Sequence, residues 1–255
     1  QCELRLDLAR SDENARLDLS GRLEIVNGQF IFERFPYPVS RARGRLVFGT
    51  DPQTGREQLL IESVRGFGIP GTLNEGAIVE INGKVSPLDH TSGIDIVVSG
   101  RNLFADDTLK AAMPPGTRRA LRLFDPDGRG EYPKFAGGFV CRVTRTVGEV
   151  GQWTTDVEVD VHSGEGRLIA LPYPLKDVQA KLVVHDDWID LQRITMRRGD
   201  ATIEVDGAVR IDEDGPTDLD NAAMDLNVRV RNLPVDDVLL RSLPENGRDR
   251  KSTRL

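Results

Sequence analysis

Phe35-Pro36-Tyr37-Pro38-Val39 returns later in the chain as Leu171-Pro172-Tyr173-Pro174-Leu175, with Pro36 and Pro172 136 residues apart. A Pro-aromatic-Pro stretch ahead of an apolar run predicts a turn entering a strand, because each proline fixes φ and removes a ladder donor. The residues after each copy are also alike: Arg43-Gly44-Arg45-Leu46-Val47-Phe48 in the first, Gln179-Ala180-Lys181-Leu182-Val183-Val184 in the second. Gly76-Ala77-Ile78-Val79-Glu80-Ile81-Asn82-Gly83-Lys84-Val85 then matches Asp200-Ala201-Thr202-Ile203-Glu204-Val205-Asp206-Gly207-Ala208-Val209. Ile94 to Leu103, ending Arg101-Asn102-Leu103, matches Met224 to Leu233, ending Arg231-Asn232-Leu233. The spacing has contracted to 130 residues at Arg101 and Arg231, as expected if loops vary while strands persist. A strand-built unit therefore occurs twice, and the repeat is the organising feature of the chain.

Within each unit, apolar residues alternate with charged or polar ones. That period of two separates one greasy face from one wet face on every strand. Residues 17–26 alternate in this way, with Leu17, Leu19, Leu23 and Ile25 on one face, and Asn27-Gly28 predicts a hairpin returning through Gln29-Phe32. Further strands are expected at 43–48, 58–64, 77–85, 94–99, 138–145, 153–161, 180–185, 188–196, 201–210 and 223–231, with turns at Asp125-Gly128 and Ser163-Gly166. Asp106 to Met113 predicts a short helix, opened by aspartates at the positive end of the helix dipole and stopped by Pro114-Pro115. Asp236 to Leu243 is its counterpart. The units are expected to divide as 1–116 and 117–245, and the basic stretch 246–255 reads as a disordered or foreign tail.

Composition narrows the function. A net charge of −7 over 255 residues, with acidic and basic residues interspersed, argues against a nucleic-acid surface and shows no polybasic stripe for anionic lipid. No run of roughly 18 apolar residues is present, and the chain begins inside an alternating pattern, Leu4-Arg5-Leu6-Asp7-Leu8, as an internal slice of a longer protein would. Cys2 and Cys141 supply no disulfide framework and no metal spacing, so Cys141 reads as a buried free thiol.

Nor does the sequence offer a catalytic constellation, and the chain reads as a non-enzyme without cofactor or metal. Asp106-Asp107 and Asp236-Asp237 precede helices and read as N-terminal caps, since adjacent carboxylates rarely converge on one atom. Asp125-Pro126-Asp127-Gly128-Arg129-Gly130-Glu131 lacks oxygen ligands at calcium-loop spacing, and Asp212-Glu213-Asp214-Gly215 reads as a solvated tip. Gly66-Phe67-Gly68-Ile69-Pro70-Gly71 has no lysine or helix start for phosphate, which leaves a bulge or bend. His90, His162 and His185 are scattered, and Ser92-Gly93 and Ser163-Gly164 have no nucleophile-elbow context.

A sandwich closes two greasy faces on bulky side chains, often aromatic. Here the faces are mostly Val, Ile and Leu, with only Trp153 and Trp188. The pattern suits an antiparallel meander curled around its apolar face, and it leaves a trough, a closed barrel and a sandwich open.

Three stretches carry a resemblance. The Pro-Tyr-Pro element before a strand, the segment Gly199 to Val209, and Arg231-Asn232-Leu233-Pro234-Val235-Asp236-Asp237 together resemble the AsmA/TamB-type envelope proteins of diderm bacteria. The likeness covers about residues 4–245 and rests on soft repeat patterns. It implies a mainly β fold, a repeated antiparallel β-meander curled into a U-shaped, taco-like groove with one short helix per repeat. It also implies an inner-membrane anchor elsewhere in a full-length chain, a path across the periplasm through further β-repeats, an outer-membrane protein as partner, and conduction of phospholipid for outer-membrane biogenesis.

On that reading the groove is lined by Leu19, Leu23, Ile25, Val79, Ile81, Val85, Ile94, Ile96, Val98, Val157, Val159, Val161, Ile203, Val205, Val209, Leu226, Val228 and Val230. If the same residues fill a closed core, the chain is instead a structural or adhesive β-repeat protein of the cell envelope, working through its loops. An open groove predicts that aspartate at Val205 or Val228 ends lipid capture without unfolding the sheet.

Overall fold

The structure is a computed structural model and describes residues 2–9, 18–32, 35–113, 118, 134–167, 174–185, 188–210, 223–234 and 237. Their strands are β1 (Cys2–Ala9), β2 (Asp18–Phe32), β3 (Phe35–Thr50), β4 (Glu57–Phe67), β5 (Ile78–Ser86), β6 (Gly93–Phe104), β7 (Lys134–Arg145), β8 (Trp153–Arg167), β9 (Pro174–Val184), β10 (Trp188–Arg198), β11 (Ala201–Arg210) and β12 (Met224–Arg231). All twelve lie in one sheet in chain order, from β1 at one end to β12 at the other, so among the described residues the sheet is not closed. The ladders joining β1 through β6 in turn, and β9 through β12 in turn, are antiparallel. The chain is mainly β, and its one described helix of more than a single residue is α1 (Asp107–Ala112).

Two compact units divide the chain: Gln1–Phe104 with Gly138–Glu158, and Ala105–Gly137 with Val159–Leu255. β7 and β8 each contribute to both units, so this division differs from a single cut after residue 116.

The repeat inferred from sequence is reproduced in backbone geometry. In the first unit Leu46 pairs with Ile61, and Val64 pairs with Ile81, which pairs with Val98. In the second, Leu182 pairs with Leu191, and Ile194 with Val205 and then Val228. A bulge falls between Ile61 and Val64 in β4 and between Leu191 and Ile194 in β10. Arg41 and Asp177 share a left-handed φ of 51°, and Asn102 and Asn232 have φ of 56° and 53°. At Gly83 and Gly207 an added Cβ would sit 2.6 and 2.0 Å from the carbonyl oxygens of Asp95 and Asp225. Glycine recurs there because the neighbouring backbone leaves no room for a side chain.

Several expected turns prove to be strand. Asn27-Gly28 does not make a hairpin; β2 runs through it, and the register shifts on both sides of Gly28. Gly28 serves a bulge instead, where a Cβ would meet Ile25 Cγ2 at 2.9 Å. Phe35-Pro36-Tyr37-Pro38 opens β3 rather than preceding it. The prolines are tolerated because the β3–β4 ladder ends at Ser40–Phe67, short of them, so no donor is missed on that side. Ser163 to Gly166 likewise lies inside β8, where Gly164 accommodates the ring of Phe135.

The helix α1 forms as expected, with the Asp106 carboxylate accepting from Leu109 N at 2.8 Å and Leu109 and Ala112 buried. The expected second helix at Asp236–Leu243 falls, apart from Asp237, outside the described residues, as do Asp125–Glu131, Asp212–Gly215, residues 171–173 and 246–255.

The polar loop after β3 is pinned by one carboxylate. Asp51 is buried, accepts from Lys84 Nζ at 2.6 Å and receives the backbone N–H groups of Gln53 and Thr54. The Lys84 ammonium first, and the Gln53 amide next, hold the Asp51 carboxyl below its ordinary 3.8. A depressed carboxylate contributes stability above its unfolded pKa and loses it as pH falls through the folded value. Acid melts should therefore show unit-one stability dropping below the ordinary carboxylate range, with Asp51→Asn flattening that part of the profile. An unchanged acid limb in the variant would refute the assignment.

Candidate functional site

Cross-strand register lines up the apolar side chains, since directly paired residues share a face. In the first unit one row runs Leu23, Leu46, Ile61, Gly83, Ile96; a second runs Gly21, Phe48, Leu59, Val85, Ile94; a third holds Val64, Ile81 and Val98. In the second unit the rows are Val184, Ile189, Val209; Leu182, Leu191, Gly207, Leu226; Ala180, Ile194, Val205, Val228; and Met196, Ile203, Val230.

The opposite face is charged. Glu24, Arg45 and Glu62 stand side by side across β2, β3 and β4, with Arg45 2.7 Å from Glu24 and 3.4 Å from Glu62. The Glu24 hydrogen bond raises the Arg45 pKa, and Asp95, 2.8 Å away, does the same for Arg142. Such exposed pairs set register more than stability.

Burial grades along the first unit's face. Val79, Ile81, Ile96 and Val98 are buried, while Leu23, Ile25, Val85 and Ile94 are half-buried. Val157, in the first unit, and Val159, in the second, are also half-buried, and Leu19 lies in β2 with its side chain outside the described residues. In the second unit Val161, Ile203, Val205 and Val209 are buried, whereas Leu226, Val228 and Val230 on β12 are exposed.

The second unit's sealed part is a cluster of Val161, Leu175, Val178, Ala180, Ile194, Met196, Ile203 and Val205, with Phe135 and Leu233 against it. The alternation therefore identified one face, but its members range from sealed to open.

Register also adds residues that alternation missed. Leu59-Leu60-Ile61 is continuously apolar, so its facing was illegible; pairing sends Leu59 and Ile61 to the apolar face and Leu60 between Val47 and Lys84. Phe48 and Leu46 join them by the same rule.

Elsewhere the described residues offer little chemistry. Cys141 is free, and burial, with Asp156 adding, pushes its thiol up to about 11, so it is a weak nucleophile at neutral pH. No group of three His, Cys, Asp or Glu among the described residues is placed to hold a metal ion. Among the described residues no helix is long and apolar enough to cross a membrane.

No family model, no curated protein and no solved structure matches the chain.

Proposed function

We propose that this chain is a segment of a periplasmic lipid-conducting protein that shields phospholipid acyl chains along its apolar sheet face. One observation carries the reading: apolar rows cross consecutive strands of an antiparallel sheet that, among the described residues, is not closed. An acyl chain costs about 0.8 kcal/mol per CH₂ left in water, so a carrier needs a continuous apolar lining and no catalytic group. The half-buried row of Phe48, Leu59, Val85 and Ile94 suits that demand best, being apolar, contiguous and partly accessible. On this proposal the chain works between an inner-membrane anchor and an outer-membrane partner, alongside further β-repeats, in outer-membrane biogenesis.

Native mass spectrometry of the purified chain tests it. Phospholipid should accompany the wild type, and Val85→Asp, which sets a carboxylate between Leu59 and Ile94, should lower occupancy by at least about tenfold with the β signal intact. Undiminished lipid in a folded variant would sink the proposal. The sealed cluster around Met196 favours the alternative, a structural or adhesive repeat protein, and a wild type free of lipid would support that one.

A further inference from the structure

We infer that Arg41, Arg43 and Arg65 form a binding site for a phosphate ester at the rim of the first unit. Arg43 and Arg65 are directly paired across β3 and β4, and both are exposed. Like charges placed opposite one another destabilise a ladder. The Arg65 guanidinium carbon lies 5.9 Å from the centre of the Phe67 ring, and that of Arg41 lies 4.9 Å from the same ring. Two guanidinium groups are thus gathered on one aromatic platform, a geometry that steadies an arginine fork for an incoming anion.

Nearby carboxylates are spoken for. Glu62 meets Arg45, and the Glu75 carboxylate accepts from Gly71 N. Glu80, paired with Arg65 in β5, accepts from Ser63 and Asn82 and lies 3.7 Å from Arg101. Among the described residues none of the three arginines meets a carboxylate, and Arg41 donates only to the Glu75 carbonyl at 3.4 Å.

The repeat acts as an internal control. The equivalent positions of the second unit, matched by register and by the shared left-handed φ, are Asp177, Gln179 and Thr195. The fold therefore does not require arginine at any of them. Aspartate suits a left-handed φ of 51° better than arginine does, so the first unit carries Arg41 there against local preference. The second unit has its own like-charged pair at this rim, Lys176 opposite Arg197, but with Asp177 adjoining.

A phosphate ester fits because its terminal oxygens accept from several forks at once and its charge relieves the repulsion. The source is either a phospholipid headgroup or a soluble phosphate compound, and both share this chemistry. The site stands whether or not the apolar face carries lipid.

The test uses the whole chain and Arg43→Gln/Arg65→Thr, which installs the second unit's residues. Inorganic phosphate should raise the wild-type melting temperature beyond chloride of equal ionic strength, and the double variant should bind phosphate about tenfold or more weakly. Free of phosphate, the variant should melt no lower than wild type, because a repulsive pair has gone. Flotation with vesicles of phosphatidylcholine plus phosphatidylglycerol, and not with phosphatidylcholine alone, would place the site on headgroups; phosphate binding without flotation would place it on a soluble ester. Equal phosphate binding by wild type and variant, no phosphate binding by the wild type, or a variant that melts lower would overturn the inference.

Discussion

Val205→Asp should unfold the second unit, whereas Val228→Asp, one strand away in the same row, should leave it folded. The two valines pair directly across β11 and β12, so periodicity treats them alike. Burial does not: Val205 is 9% exposed within the cluster of Leu175, Ile194 and Met196, and Val228 is 54% exposed. An unpaired carboxylate at Val205 costs on the order of 4 kcal/mol or more, a large share of the 5–15 kcal/mol that typically holds a domain together. At Val228 the same change meets water and should cost about 1 kcal/mol or less. Denaturant melts of the two variants check this, with the Val205 transition lost or strongly shifted. Equal stability of the two would show that the cluster is not sealed. The expectation that aspartate at either position spares the fold is thus revised for Val205 alone.

Asn74→Ala should cost the first unit on the order of 3 kcal/mol. Asn74 is fully buried; its side-chain oxygen accepts from Phe104 N at 2.7 Å and its amide donates to Phe104 O at 3.0 Å. It caps the end of β6 as a further strand residue would. Alanine leaves the Phe104 N–H and C=O, in part-buried bonds, without their partner, and an unsatisfied buried group costs about 1–3 kcal/mol. Thermal melts should show a fall of roughly 6–12 °C, given 2–4 °C per kcal/mol for a chain of this size. Gly68 makes room for the Asn74 backbone, because an added Cβ would run into its carbonyl oxygen, which accepts from Ala77 N. A melting temperature within a degree or two of wild type would mean that water replaces the lost bonds.

The repeat was legible because it was written in residues with strong backbone demands. Gly83 and Gly207 stand where a neighbouring carbonyl excludes any side chain, and Asn102 and Asn232 take up a left-handed φ that few other residues accept easily. Turns were less legible. Asn27-Gly28 has the composition of a hairpin, but a bulge uses the same conformational freedom, and only pairing with β3 decides which one forms. The Pro-Tyr-Pro element misled in the same way: proline is barred from a ladder only where a partner would need its N–H, and β4 stops short of it.

Sequence alone determined that this chain is built of strands with one apolar side and that the plan occurs twice. Those are local matters, set by a two-residue period and by the φ each residue tolerates. Tertiary structure decided which valines are sealed and which are open, and it brought Arg43 beside Arg65 and Asn74 beside Phe104. These depend on what lies across the ladder, and register joins residues that sequence keeps 20 or 30 positions apart.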